Sequence, residues 1–68
     1  MNKDEERRRI GKRITELRKE KGMTQQKVAD YCGLNQCHVA RIEKGSYSVG
    51  LDTLSIIAES LGKKIDFV

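Results

Sequence analysis

The side chains best suited to bind a partner lie between positions 35 and 44, a stretch that the sequence predicts to be mainly helical. Val39 and Ile42 are three residues apart and would face a core from one side of that helix. At about 100° per residue, the other side carries polar and basic residues: Gln36, Cys37, His38, Arg41 and Lys44. Because glutamine matches adenine and arginine matches guanine, each by two hydrogen bonds, this side could recognise bases. The alternative is a solvated polar face, which any surface helix carries.

The elements that would position this face are two short helices joined by a tight turn, over residues 24–45. Thr24 and Asn35 are predicted to cap their N-termini, because both side chains accept hydrogen bonds from free backbone N–H groups. A small residue allows two helices to cross closely, a glycine allows positive φ in the turn, and two apolar anchors hold the second helix. These four positions are Ala29, Gly33, Val39 and Ile42. Their spacing indicates a helix-turn-helix, whose second helix enters the major groove of DNA.

Composition limits the range of functions. The chain has 68 residues, a net charge of +4 and a pI near 9.3, with nine of its fourteen basic residues between Lys3 and Lys21. The positive net charge favours an acidic partner such as nucleic acid. The alternative is that the charge only keeps a small protein soluble. Such a short chain cannot enclose a large catalytic cavity, and no catalytic arrangement of residues is visible, so an enzyme is not expected. With no long apolar run and no secretion signal, we expect no membrane contact and a cytoplasmic protein.

Two cysteines and one histidine do not predict a metal site. Cys32 and Cys37 are five residues apart, and with His38 they supply too few ligands for a structural zinc. We therefore predict no metal and no cofactor. Cys32 is predicted to be a small core residue. Cys37 is predicted to be exposed, so that its oxidation could block binding to DNA.

The first helix is predicted over residues 3–21, capped by Asn2 and ended by Gly22. Its run of three arginines could bind phosphate, or could pair with Asp4 and Glu5 at i,i+4 spacing on a solvated face. All six glycines, at positions 11, 22, 33, 45, 50 and 62, are interpreted as residues that separate one helix from the next.

A fourth helix is predicted over residues 51–61. Its inner stripe would consist of Leu51, Leu54, Ile57, Ala58 and Leu61, which leaves Ile56 outside. In the tail, residues 63–68, Ile65 and Phe67 alternate with Lys64 and Asp66, a pattern typical of a short strand. We predict that this strand pairs with its copy across a dimer axis, beside Ile56. The alternative is a tail that folds back onto its own core.

Several separated motifs resemble the phage-repressor and Cro type of helix-turn-helix, also called the XRE type. The resemblance covers about residues 10–62 and is carried by Thr24-Gln25, Ala29, Gly33-Leu34, the run 41–45 and the run 51–54. It implies an all-α, lambda-repressor-like bundle of four or five helices, and the length of the chain allows one domain, over residues 1–68. It also implies that such a protein binds double-stranded operator DNA as a two-fold dimer.

The resemblance also implies roles for individual residues. Base-reading positions would be Asn35, Gln36, Cys37 and Arg41, while His38 and Lys44 would lie nearer the DNA backbone. Gln25 would contact a phosphate and brace the second helix of the motif. Arg18 and Glu43 would form an internal ion pair, which explains an acidic residue on a helix that meets DNA. Cys37 departs from the polar residue that many relatives carry, so its contact with a base would be weak.

The loop after the second helix of the motif is a further candidate for phosphate binding. Ser46 and Tyr47 offer hydroxyl groups and backbone N–H groups, although Tyr47 could instead be a partly buried packing residue.

Two functions follow from all these features. The first is a sequence-specific regulator, a repressor that binds a palindrome as a homodimer. The second is an antitoxin, which would hold a protein toxin and regulate its own operon.

Overall fold

The computed structural model describes residues 2–66, which form four α-helices and no strand. The helices are α1, Lys3–Glu20; α2, Gln25–Cys32; α3, Gln36–Lys44; and α4, Leu51–Ser60. α1 packs on α3, α3 packs on α2, and α2 packs on α4. The expected all-α fold is confirmed, with four helices in the described part of the chain.

Each of the first three helices begins where a side chain can accept from its free N–H groups. Asn2 accepts from the N–H of Asp4 at 2.8 Å, Thr24 from that of Lys27 at 3.1 Å, and Asn35 from that of His38 at 2.8 Å. The turn between α2 and α3 passes through Gly33 at φ 70°, a conformation that costs glycine little because it has no Cβ. These local signals set the start of α3, and therefore which residues lie in its first turn.

The core lies where the four helices meet. Among residues 2–66, seven apolar residues are at most 6% exposed: Ile14, Val28, Ala29, Val39, Ile42, Ile57 and Leu61. Val39 and Ile42 therefore anchor the inner side of α3, as their spacing predicted. Ala29 is fully buried and provides the close packing expected between α2 and its neighbours.

Gly11 does not separate two helices, contrary to the prediction. It lies within α1 and is buried against α3, where an added Cβ would stand 2.5 Å from the carbonyl oxygens of both Ile42 and Glu43. A methyl group cannot occupy that space, so glycine allows α1 to approach α3 at this point. This crossing sets the distance between α1 and the inner side of α3.

The prediction that Leu51 belongs to the inner stripe of α4 was also wrong, because this residue is 68% exposed. It is the first residue of that helix and lies about 120° around the axis from the fully buried Ile57. Ile56 is 40% exposed, which agrees with its predicted place outside the stripe.

The tail over residues 63–66 has no regular structure in this single chain. Ile65 borders a cavity of about 310 Å³ between α1 and α4, which Ile10 and Leu54 also line, and remains 42% exposed. Phe67 lies outside the described residues. The predicted pairing with a second copy therefore stays a prediction.

Candidate nucleic-acid interface

The outward side of α3 presents most of the side chains that were expected to read bases. Asn35, Cys37 and Arg41 are exposed, while Gln36 is half-buried. Within residues 2–66, no ion pair or hydrogen bond engages the guanidinium of Arg41 or the ammonium of Lys44. These two cations are thus free to meet an acidic partner. Cys37, Arg41 and Asn35 also line a shallow cavity of about 230 Å³ on this side.

The opposite edge of α3 is occupied by a buried acid. The Nε of Arg18 donates to Oε2 of Glu43 at 2.8 Å and its Nη2 donates to Oε1 at 3.2 Å, and the two side chains are only 12% and 6% exposed. The ion pair between α1 and α3 that the family resemblance implied is therefore present. Arg18 also donates to the carbonyl oxygen of Met23 at 2.9 Å, which ties the α1–α2 turn to the same group.

Glu43 receives two further hydrogen bonds. The hydroxyl of Thr15 donates to its Oε1 at 2.8 Å, and Nε2 of Gln25 donates to the same oxygen at 3.1 Å. Burial, the largest single influence, raises the pKa of Glu43, but the hydrogen bonds from Arg18, Gln25 and Thr15 and the charge of Arg18 together lower it below its usual range. The side chain is therefore held as a carboxylate.

Gln25 connects this buried acid to the outward side of α3. While its Nε2 faces Glu43, its Oε1 accepts from Nε2 of Gln36 at 2.6 Å. Gln25 thus braces α3 at the first residue of that helix. Gln36 is therefore held by Gln25 of α2, a contact that a helical wheel of α3 alone could not show.

His38 and Tyr47 pack against each other at the edge of the interface. Their ring centroids are 4.9 Å apart with an angle of 86° between the planes, and Tyr47 is 41% exposed. The Nε2 atom of His38 is buried without a hydrogen-bond partner among the described residues. This nitrogen is therefore not presented to a phosphate. Tyr47 packs on His38 and is also partly exposed, so its predicted phosphate contact stays a prediction.

The loop after α3 is held close to that helix. Ser46 donates from its hydroxyl to the carbonyl oxygen of Arg41 at 3.3 Å, and its backbone N–H points to the same oxygen at 3.3 Å. Gly45 ends α3 at φ 76°, and a Cβ there would lie 2.7 Å from the backbone of Arg8. The loop thus begins where α1 and α3 pack tightly, which places Ser46 and Tyr47 beside the exposed side of α3.

In the described part of the chain, no three residues among histidine, cysteine, aspartate and glutamate are grouped so that they could hold a metal ion. Cys32 is half-buried and Cys37 is exposed. Burial raises the pKa of the Cys32 thiol, which disfavours the thiolate that metals bind. Among the described residues, no helix is long and apolar enough to cross a membrane.

Sequence reasoning missed Thr15 and the role of Gly11. A signal was present, because Gly11, Thr15 and Arg18 follow i, i+4, i+7 spacing beside the apolar stripe of α1. Small and polar residues at helical spacing mark a face that packs closely on a neighbour carrying a polar group. Here that neighbour is α3 and the group is Glu43.

Known proteins share both this sequence and this fold. A family profile described as helix-turn-helix matches residues 14–68. The chain is 34% identical over 59 residues to the immunity repressor protein of Bacillus phage phi105, covering 87% of this chain and 41% of that protein. It is 33% identical over 54 residues to control protein C.BamHI of Bacillus amyloliquefaciens, covering 78% of this chain and 67% of that protein. This chain therefore spans less than half of the phage repressor.

A solved structure agrees with these sequence relatives. The restriction-modification controller protein C.AhdI from Aeromonas hydrophila superimposes with a TM-score of 0.88 at 28% identity, covering 94% of this chain and 93% of that one. The family profile includes α2, α3 and α4 entirely, and thus the whole of the interface just described. The chain belongs to the XRE-type helix-turn-helix family of DNA-binding transcriptional regulators.

Proposed function

We propose that this protein is a transcriptional repressor that binds a palindromic operator as a homodimer, with α3 of each copy in the major groove. The observation that carries the proposal is that Arg41 and Lys44 are exposed on the side of α3 that faces away from the core and have no ion-pair partner among residues 2–66. In a two-fold dimer of this type, the half-sites lie about one helical turn, ~34 Å, apart. Such a regulator would act in the cytoplasm.

The first turns of α3 would read the bases. Gln36 would recognise adenine and Arg41 would recognise guanine, because each side chain can form two hydrogen bonds with that base. Asn35 caps α3 with its side-chain oxygen and would reach the bases or the adjoining backbone with its amide nitrogen. The thiol of Cys37 would pack on a thymine methyl group, which makes it the weakest of these contacts.

The phosphate contacts would surround this reading surface. Gln25 keeps one N–H free after donating to Glu43, and Lys44, Ser46 and Tyr47 lie on exposed positions around the C-terminal end of α3. His38 would contribute through the ring of Tyr47, against which it packs, because its own Nε2 is buried. Contacts of this kind position the protein without reading sequence.

Exposed apolar residues of α4 and the tail support a homodimer. Ile56 and Ile65 are 40% and 42% exposed, and we propose that they contact a second copy together with Phe67. A chain ending at Gly62 should sediment as a monomer where the full chain is a dimer. A truncated chain that remained dimeric would place the interface elsewhere.

Selection of bound sequences from a random DNA pool, with sedimentation of the complex, tests the proposed function. We expect a palindromic consensus, two protein chains per site, and an affinity that falls steeply as salt rises because phosphate contacts release counterions. Recovery of no consensus, or an affinity insensitive to salt, would contradict the proposal. Similarity to proteins named as a repressor and as controllers favours this function over the antitoxin and its toxin partner.

A further inference from the structure

The chain of hydrogen bonds that runs from α1 to the outward side of α3 has a direction. It begins at Glu43, and a carboxylate can only accept hydrogen bonds. The Nε2 atom of Gln25 must therefore face Glu43, which it does at 3.1 Å. The opposite orientation of that amide would bring its oxygen against the carboxylate oxygen, with no proton between them.

The orientation of the Gln25 amide in turn fixes the orientation of the Gln36 amide. With Nε2 of Gln25 committed to Glu43, Oε1 of Gln25 faces Gln36 and can only accept, so Gln36 must present its own Nε2, at 2.6 Å. Gln36 then has its Oε1 and its second N–H left for a ligand. The weak contact of the Cys37 thiol with that Oε1, at 4.0 Å, leaves one of its lone pairs open.

A fixed amide distinguishes between bases. Adenine presents N7 as an acceptor and its N6 amino group as a donor in the major groove. The remaining N–H of Gln36 matches N7, and its Oε1 matches the amino group. If the amide of Gln36 were reversed, its NH₂ group would meet the amino group of adenine, and the acceptors O6 of guanine or O4 of thymine would fit better.

We propose that Glu43 is a positioning residue for base recognition, which sets the preference of Gln36 for adenine through the amide of Gln25. This inference rests on the proposed function, in which α3 reads DNA. Glu43 is 6% exposed and acts on the base only through the two glutamines. A purely structural role for Glu43 would instead lower the affinity for all sequences alike.

The variant Glu43→Met removes the acceptor that fixes this direction while keeping a side chain of similar length. Nε2 of Gln25 donates to Oε1 of Glu43 at 3.1 Å, and a methionine thioether offers no comparable acceptor. The amide of Gln25 would then have no fixed orientation. The orientation of the Gln36 amide would be lost with it.

The experiment compares binding to operators that carry each of the four base pairs at the position where Gln36→Ala abolishes discrimination. Wild-type protein should prefer adenine there by about ten-fold or more. In Glu43→Met this preference should fall about ten-fold. Gln25→Met should cause a similar loss without breaking the ion pair. If Glu43→Met does not fold by circular dichroism, the double variant Arg18→Met/Glu43→Met, which leaves no charge of the pair unpaired, decides the question.

The matched control is Thr15→Val. It removes one donor to Glu43 but leaves the carboxylate facing Gln25, so the protein should lose some stability and keep its preference for adenine. Full preference in Glu43→Met, in the double variant or in Gln25→Met, or a wild-type preference for another base at the Gln36 position, would overturn the inference while leaving the proposed function intact. A wild-type protein that selects no sequence would instead overturn the proposed function.

Discussion

The two sides of α3 use charge in opposite ways. On the inner side, Glu43 is buried and fully engaged by Arg18, Thr15 and Gln25. On the outer side, Arg41 and Lys44 are exposed and have no ion-pair partner among residues 2–66. The inner charge is thus neutralised within the fold, and the outer charges are left for a partner. A single helix can in this way both hold the fold together and present a binding surface.

The basic residues of α1 extend this contrast. Arg7 pairs with Asp4 at 2.9 Å, Arg9 with Glu6 at 2.8 Å, and Arg13 with Glu16 at 3.4 Å. These pairs have i,i+3 spacing and differ from the i,i+4 pairs with Asp4 and Glu5 that were predicted. Arg7, Arg9 and Arg13 are therefore matched by acids of their own helix, whereas Arg41 and Lys44 are not.

Removal of the inner charge should have the largest effect. Glu43→Ala leaves Arg18 nearly buried and unpaired, so the free energy of unfolding should fall by about 3–5 kcal/mol, measured by urea denaturation. The matched control is Glu16→Ala, which breaks an exposed pair with Arg13 and should cost less than about 1 kcal/mol. Equal losses in the two variants would remove the distinction between inner and exposed charges.

Protonation of Glu43 is a milder form of the same change. Its pKa in the folded protein is lower than the ordinary value of 4.5, so its contribution to stability is present above about that pH. The contribution is lost as the pH falls from there through the folded pKa. Glu43→Gln should lack this part of the acid-induced loss of stability in denaturation measured across pH. An unchanged acid profile in that variant would show that other carboxylates cause the loss.

Removal of the outer charge at Arg41 should weaken binding to DNA and leave the free energy of unfolding unchanged. Arg41→Ala should weaken binding to the best sequence by about 1–3 kcal/mol and relax the preference at one base pair. The control is Arg9→Ala, whose side chain pairs with Glu6 on α1 and should barely affect binding. Equal weakening of all sequences by Arg41→Ala would make Arg41 a phosphate contact.

The smallest effect is expected for the outer charge at the end of α3. Lys44→Ala should weaken binding to all sequences by a similar factor and reduce the slope of log affinity against log salt by about 1. Titrations of the selected operator at several salt concentrations measure that slope. A changed base preference with an unchanged slope would assign Lys44 to base reading.

Local sequence determined the helices and their ends. The caps at Asn2, Thr24 and Asn35 act on N–H groups two or three residues ahead, so each is visible in a short window of sequence. The apolar spacing of Val39 and Ile42 likewise defined the inner side of α3, and with it the outward direction of Arg41. Leu51 was misplaced because an apolar residue in the first turn of a helix can lie at the margin of the stripe.

How these helices pack on one another depends on contacts between residues that are far apart in the chain. The crossing at Gly11 and the bond from Thr15 to Glu43 join α1 to α3 across 28 or more residues, and no local pattern gives such a distance. The amides of Gln25 and Gln36 could each point either way in an isolated helix. Their orientation depends on a carboxylate that the fold buries beside them, because hydrogen-bond direction is set by whichever neighbour cannot donate.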